Sequence, residues 1–263
     1  MRDILNDIFT GPEEPDPVRR AQIQMKKPLP KRFYETVSVA ADGGKHAILL
    51  DGKPVRTPGR NGLAVPSATL AERLADEWRA QKTVIEPATM PVTRLVNTAI
   101  DAVSGQAQAV FEDILRYAGG DMLFYRAETP QELVARQAKL WDPILSWVAD
   151  DLGARFVLTQ GIIHVAQPQA ALDAFAAALA PYKSGFEIAC LHVLTTITGS
   201  ALLALAFARG RLTLAELWAL AQVDEDWTTE HWGLDAEAAA RNAKRFEDLE
   251  AATAVFDAVR TRA

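Results

Sequence analysis

The chain has 263 residues, 49% hydrophobic and 24% charged, a balance that suits one large or two modest folded cores and excludes wholesale disorder. Its net charge of -6 and pI near 5.3 argue against a nucleic-acid binder, which needs a basic face to displace counterions from phosphates. A single cysteine, Cys190, excludes an internal disulfide framework and fits a reducing compartment.

Residues 1–29 carry Gly11, Pro12, Pro15 and Pro17 among charges and are expected to be a tail. They contain no apolar core of signal-peptide length, and their acids are wrong for a mitochondrial transit peptide. The expected location is therefore the bacterial cytoplasm, or the mitochondrial matrix if the chain is a processed eukaryotic form.

From Arg32 the texture is that of strands: FYETVSVAA, HAILLDG, PVRTPG and GLAVP, punctuated by Asp42-Gly43-Gly44, Asp51-Gly52 and Arg60-Asn61-Gly62. Alternating polarity with such turns predicts a β-meander. After Pro66 the period becomes helical. Ser67 is placed to cap a helix through LAERLADEWRAQ, with Leu70, Leu74, Ala75 and Trp78 on one face. Two further helices follow in MPVTRLVNTAIDAV and QAVFEDILRYAGG, and a long amphipathic one starts after Pro130, with Pro143 expected to end or kink it.

The segment ARFVLTQGIIHVAQP has strand character, and residues 155–166 are a candidate to rejoin the N-terminal sheet. Beyond Pro168 every segment is helical. Residues 188–208, IACLHVLTTITGSALLALAFA, are apolar enough to be weighed as a membrane span. His192, the hydroxyl residues and the unbiased flanking charges favour one buried central helix instead. The expected fold is α+β, with a small β-rich N-terminal domain containing one helix over 30–89, then a mainly helical domain over 90–263.

Familiar catalytic patterns are missing. Asp42-Gly43-Gly44-Lys45 lacks a P-loop's spaced glycines and its Ser or Thr, and His46, His164, His192 and His231 lie in four different elements with no metal-binding spacing. Cys190 and His192 are two residues apart on a predicted helix and point in different directions.

What remains is residues 223–241, VDEDWTTEHWGLDAEAAAR, where acids, two tryptophans and a histidine crowd together. Asp226 and Glu230 with His231 are the seed of a small hydrolase or metal enzyme. Helical phasing instead spreads Asp224, Glu225 and Asp226 around the helix, as in a solvated face or a docking surface. Val223 and Trp227, with Leu217 and Leu220, form the expected core stripe, and Trp232-Gly233 an interruption.

VDEDWTTEHWG, together with KRFYETVSV, LDGKPVRTP, DEWRAQ, MPVTRLVNTAID and LWDPILSW in that order over residues 31–245, resembles the ATP synthase F1 complex assembly factors that chaperone the α subunit. The resemblance implies a non-enzymatic chaperone with a β-rich domain followed by an orthogonal helical bundle, its partner the unassembled α subunit of F1-ATPase. It also implies that an acid of the run before Trp-Gly matters for activity and that Trp78 matters for the working fold.

The expected partner-binding residues are Glu225 foremost, with Asp224, Asp226, Glu230 and Trp232. Trp78, Trp141, Arg94 and Gly233 are structural or interface positions. Thr228 departs from the family, which often has glutamine there. Arg94 and Asp101 are either a buried ion pair linking helix to sheet or surface charges. No cofactor, metal, nucleic acid or membrane insertion is expected, and the chain is expected to be a monomer.

Overall fold

Two glycines at positive φ, Gly43 at 54° and Gly44 at 81°, turn the chain tightly enough to lay β1 (Val37–Asp42) antiparallel on β2 (Lys45–Leu50). This computed structural model describes residues 28–182 and 185–260. The expected N-terminal tail, except for its last two residues, lies outside the described residues.

A second tight turn follows at Asp51-Gly52, φ 47° and 74°, with the Asp51 carboxylate accepting the backbone N–H groups of Glu35 and Thr36. Those bonds hold the carboxyl below its ordinary range. Strand β3 (Lys53–Pro54) then pairs with the end of β2, and β4 (Ala64–Val65) with its start. Central β2 buries Ile48 and Leu50.

Helix α1 (Ala68–Ala80) packs on β1 and β2. Ser67 caps it by accepting the Leu70 N–H, and its buried face is Leu70, Ala71, Leu74, Ala75 and Trp78, the stripe read from spacing. The Tyr34 hydroxyl donates to the Trp78 carbonyl at 2.7 Å.

The chain divides into two compact units, one comprising the described residues 28–105 with 254–260, the other Gln106–Thr253. The first therefore runs past the boundary expected near residue 89, and two carboxylates supply the reason. Glu77 of α1 accepts the Val92 and Thr93 N–H groups and the Thr93 hydroxyl at 2.6–2.8 Å, satisfying the open N-terminus of α2 (Pro91–Thr98). Burial pushes the Glu77 carboxyl up, against those bonds and the nearby Arg94 charge. A π-helical turn, Ala99–Val103, then presents Asp101 to the β3–β4 loop, where it accepts from the Thr57 hydroxyl, Gly59 N–H and Asn61 amide at 2.5–2.8 Å. Asp101 therefore links helix to sheet through neutral donors, while Arg94 lies beside Glu77.

A Cβ on Gly59 would sit 2.7 Å from the Asp101 carboxyl carbon. Gly59→Ala is accordingly expected to destabilise by about 1–3 kcal/mol, and by less in an Asp101→Ala background. A double-mutant cycle in urea checks this, and additive costs would contradict it.

The second unit holds most of the helices. Helix α3 (Ser104–Ala118) leads to a 3-10 turn, Met122–Phe124, and to β5 (Tyr125–Arg126). Helix α4 (Gln131–Asp151) runs unbroken through Pro143. Strand β6 (Thr159–Gln160) pairs in parallel with β5. Residues 155–166 thus do not rejoin the N-terminal sheet. The adjoining Phe156 stacks on Phe124, ring centroids 4.9 Å apart, and meets Phe175 edge-on at 6.4 Å, which anchors the segment within the helical unit.

Helix α5 (Gln169–Leu179) precedes the long apolar run, which is two helices rather than one: α6 (Gly185–Thr198) and α7 (Ala201–Ala208). Between them Gly199 adopts φ 71° and Ser200 caps α7. The fully buried Asp121 carboxylate accepts from the Ser200 hydroxyl at 2.9 Å and the Leu202 N–H at 3.0 Å, fixing the break. Every residue of α7 is buried, and no helix among the described residues is long and apolar enough to cross a membrane. Helices α8 (Leu214–Ala221), α9 (Val223–Trp232) and α10 (Ala236–Arg260) complete the chain, the last entering the first unit at Ala254.

Candidate functional site

The acidic stretch forms α9, whose position is set by both neighbouring helices. Helix α8 opens with a capping box in which Thr213 accepts the Glu216 N–H while the Glu216 carboxylate accepts from Thr213. The chain bends at Gln222, whose side-chain oxygen accepts from Asn242 of α10. In α9 only Val223 is buried. Trp227, expected in the core stripe, is half-buried and stacks on His231, ring centroids 4.0 Å apart, because the helix lies on the surface.

Helix α4 grips this surface helix at two points. The Gln137 amide donates to Asp224 at 2.7 Å while its own oxygen accepts the Ala127 N–H, which fixes the orientation of a buried side chain. Arg136 reaches Glu230 at 2.6 Å and holds that carboxyl below its ordinary range. Asp226 adds its charge to the field around Arg136. Among the described residues Glu225 has no hydrogen-bond or ion-pair partner and points to solvent. Thr228 donates its hydroxyl to the Asp224 carbonyl at 2.8 Å.

Gly233, φ 91°, then ends the helix and leaves Trp232 and Leu234 at 86% and 73% exposed. These two bare apolar side chains lie beside the carboxylates of α9, and Ile162 and Ile163 are comparably bare elsewhere.

Asp226, Glu230 and His231 do not converge. Glu230 is tied to Arg136, His231 hydrogen-bonds through Nδ1 to the Trp227 carbonyl, and all three are exposed on an open helix. No group of three or more His, Cys, Asp and Glu suited to a metal occurs among the described residues. The arrangement gives no acid–base pair and no walled pocket, so it lends the hydrolase or metal-enzyme reading no geometry.

The other singled-out residues serve packing. Trp141 is 1% exposed, donates its indole N–H to the Leu220 carbonyl at 2.9 Å and lies under the Arg126 guanidinium. Trp78 is equally buried. Cys190 is buried and in no disulfide, and His192 turns to Asp113 at 2.7 Å. Burial and the nearby Arg116 lower the His192 pKa.

Sequence reasoning missed Arg136 and Gln137, the residues that hold α9 in place. Nothing local singles them out, because the same amphipathic stretch also carries Gln131, Glu132, Lys139 and Asp142.

The sequence profile of the ATP12 chaperone protein matches residues 31–149. The crystal structure of Atp12 from Paracoccus denitrificans superposes with a TM-score of 0.80 at 38% identity, covering 88% of this chain and 99% of that one. The chain belongs to the ATP12 chaperone family. That family is one of ATP synthase assembly chaperones. A chaperone candidate from Agrobacterium tumefaciens is 55% identical, with a TM-score of 0.86 and coverage of 99% of this chain and 97% of that one. The mitochondrial protein atp12 of Schizosaccharomyces pombe is 24% identical over 226 residues, 81% of this chain and 77% of that protein.

Several of the six stretches that carry the resemblance are wired to one another. Arg32 of KRFYE donates to the carbonyl of Gln81 in DEWRAQ, Glu77 of DEWRAQ caps the helix of MPVTRL, and Trp141 of LWDP is bonded to the helix preceding VDEDW. In this ATP12-family chain these stretches thus mainly specify the fold, whereas the outward side of α9 does not.

Proposed function

We propose that this protein is a non-enzymatic chaperone for the F1 sector of ATP synthase, a monomer that holds the unassembled α subunit until the β subunit takes its place. The proposed setting is the bacterial cytoplasm, or the mitochondrial matrix for a eukaryotic form. The observation that carries the reading is the outward side of α9: an unpartnered Glu225 between Asp224 and Asp226, with bare Trp232 one helical stretch away.

Such a surface suits an assembly intermediate. An α subunit without β exposes an apolar interface that would self-associate. An aromatic anchor covers apolar surface, while carboxylates pair with the client's arginines and repel acidic competitors. Release needs no fuel, because a β subunit that binds the same face more tightly displaces the chaperone by mass action.

Mixing the purified protein with isolated α subunit tests the reading. Co-elution and suppressed aggregation are expected, and the absence of both would sink it. Within that assay, Glu225→Ala is expected to change unfolding free energy by no more than about 0.5 kcal/mol, as at other exposed positions, yet to weaken α binding. Its effect should fade as salt rises, because exposed charges are screened. Unchanged binding would remove Glu225 from the interface.

A further inference from the structure

We propose that a trough between α4 and α8 is a second docking subsite for the same client, and that it takes the apolar face of an amphipathic α-helix whose basic end points toward α9. The inference rests on the reading of α9 as the client-facing helix.

Helices α8 and α9 run antiparallel along α4. At one end Arg211 pairs with Asp151, in the middle Trp141 bonds the Leu220 carbonyl, and beyond that Gln137 and Arg136 hold Asp224 and Glu230. Between the first two points lies a depression of about 400 Å³ lined by Leu140, Ile144, Trp147, Leu212, Ala219 and Leu220. Leu140, Ile144 and Trp147 recur at the three- and four-residue spacing of one helix face.

Both walls are α-helices whose backbone groups are already bonded within the helix. An extended peptide laid there would bring N–H and C=O groups with no partners, at a desolvation cost. A helix arrives with its backbone satisfied and offers apolar side chains at i, i+3, i+4 and i+7, the pattern that fills such grooves.

Charge sets the direction. At the far end Arg211 is neutralised by Asp151 and rests over the Trp147 ring, and Glu216 is occupied by the Thr213 cap. At the α9 end Glu225 has no partner among the described residues, and Asp226 is exposed beside it. A lysine or arginine there gains carboxylate partners, and an acidic end would be repelled.

Ala219→Trp tests this, since an exposed alanine on the α8 wall can carry a large ring into the trough without entering the core. The thermal midpoint is expected to hold while affinity for isolated α subunit drops at least about tenfold, roughly 1.4 kcal/mol, equally at low and high salt. Leu140→Ala, which lowers the opposite wall, serves as a second variant and should weaken binding in the same direction.

If both variants bind as the wild type while Glu225→Ala is impaired, the trough is not a subsite and the α9 reading stands. If the wild type itself does not bind α, both fall. If the wild type sediments as a dimer that Ala219→Trp dissociates, the occupant is a second copy and the proposal is overturned.

Discussion

Trp78→Ala is expected to lower the unfolding free energy by about 3–5 kcal/mol, the loss usual for emptying a fully packed aromatic site. Trp78 is 1% exposed on the buried face of α1, edge-on to Tyr34 at 5.8 Å between ring centroids. Its backbone carbonyl holds the Tyr34 hydroxyl, so the same residue fixes the segment entering the sheet. Its indole N–H has no acceptor among the described residues, so the stabilisation resides in volume and contact area rather than in polarity. Trp78→Phe should therefore cost distinctly less than Trp78→Ala, since it retains a ring and removes a buried unpaired donor. Urea unfolding of the pair measures both. A stable, soluble Trp78→Ala protein that merely fails to bind the client would instead place Trp78 in the interface.

Asp121→Ala should be comparably damaging, at about 3–5 kcal/mol. It would leave the Ser200 hydroxyl and the Leu202 and Leu123 N–H groups buried without an acceptor, each worth roughly 1–3 kcal/mol. Burial pushes the Asp121 carboxyl from its ordinary 3.8 up to about 6, the surrounding donors pulling the other way. The folded chain thus binds this proton more tightly than the unfolded chain. The stabilisation this gives is complete below about pH 4 and is lost as pH rises through about 6, amounting to roughly 3 kcal/mol over the window. Asp121→Asn cannot titrate. The stability advantage of wild type over Asp121→Asn should therefore be larger at pH 5 than at pH 7, by about 1–2 kcal/mol. An advantage that grows toward neutral pH would show that the donors outweigh burial.

Where a local rule suffices, the sequence is legible. The Gly43-Gly44 and Asp51-Gly52 turns, the Ser67 cap, the α1 stripe and the end of α9 at Gly233 follow from φ preferences, capping and periodicity, and all are found in the structure. The failures share a cause in distant partners. The apolar run at 188–208 reads as one helix when its hydrophobicity is weighed above the local stop-and-cap pair Gly199-Ser200, a pair that Asp121, 79 residues before Ser200, fixes in place. The early domain boundary overlooked Asp101, whose donors lie 40–44 residues upstream.

The candidate site divides in the same way. Acids and tryptophans are visible as residue types, and Gly233 predicts the interruption that bares Trp232. That Asp224 and Glu230 are engaged while Glu225 is not depends on Gln137 and Arg136, 87 and 94 residues away from their partners. Periodicity also placed Trp227 in the core, because spacing cannot tell a helix laid on the surface from one packed beneath it.

The break at Gly199 and Ser200 also sets how far any one helix of the run can reach. A continuous helix over this run would reach the roughly 30 Å thickness of a bilayer's hydrocarbon core and read as cargo for membrane insertion. Split into helices of 14 and 8 residues, the pieces extend only about 21 and 12 Å. Both ends of the break are fixed from outside the run, by Asp121 accepting from Ser200 and Leu202. The cap that shapes the helical unit thus holds a bilayer-length apolar stretch as two pieces, neither long enough to cross.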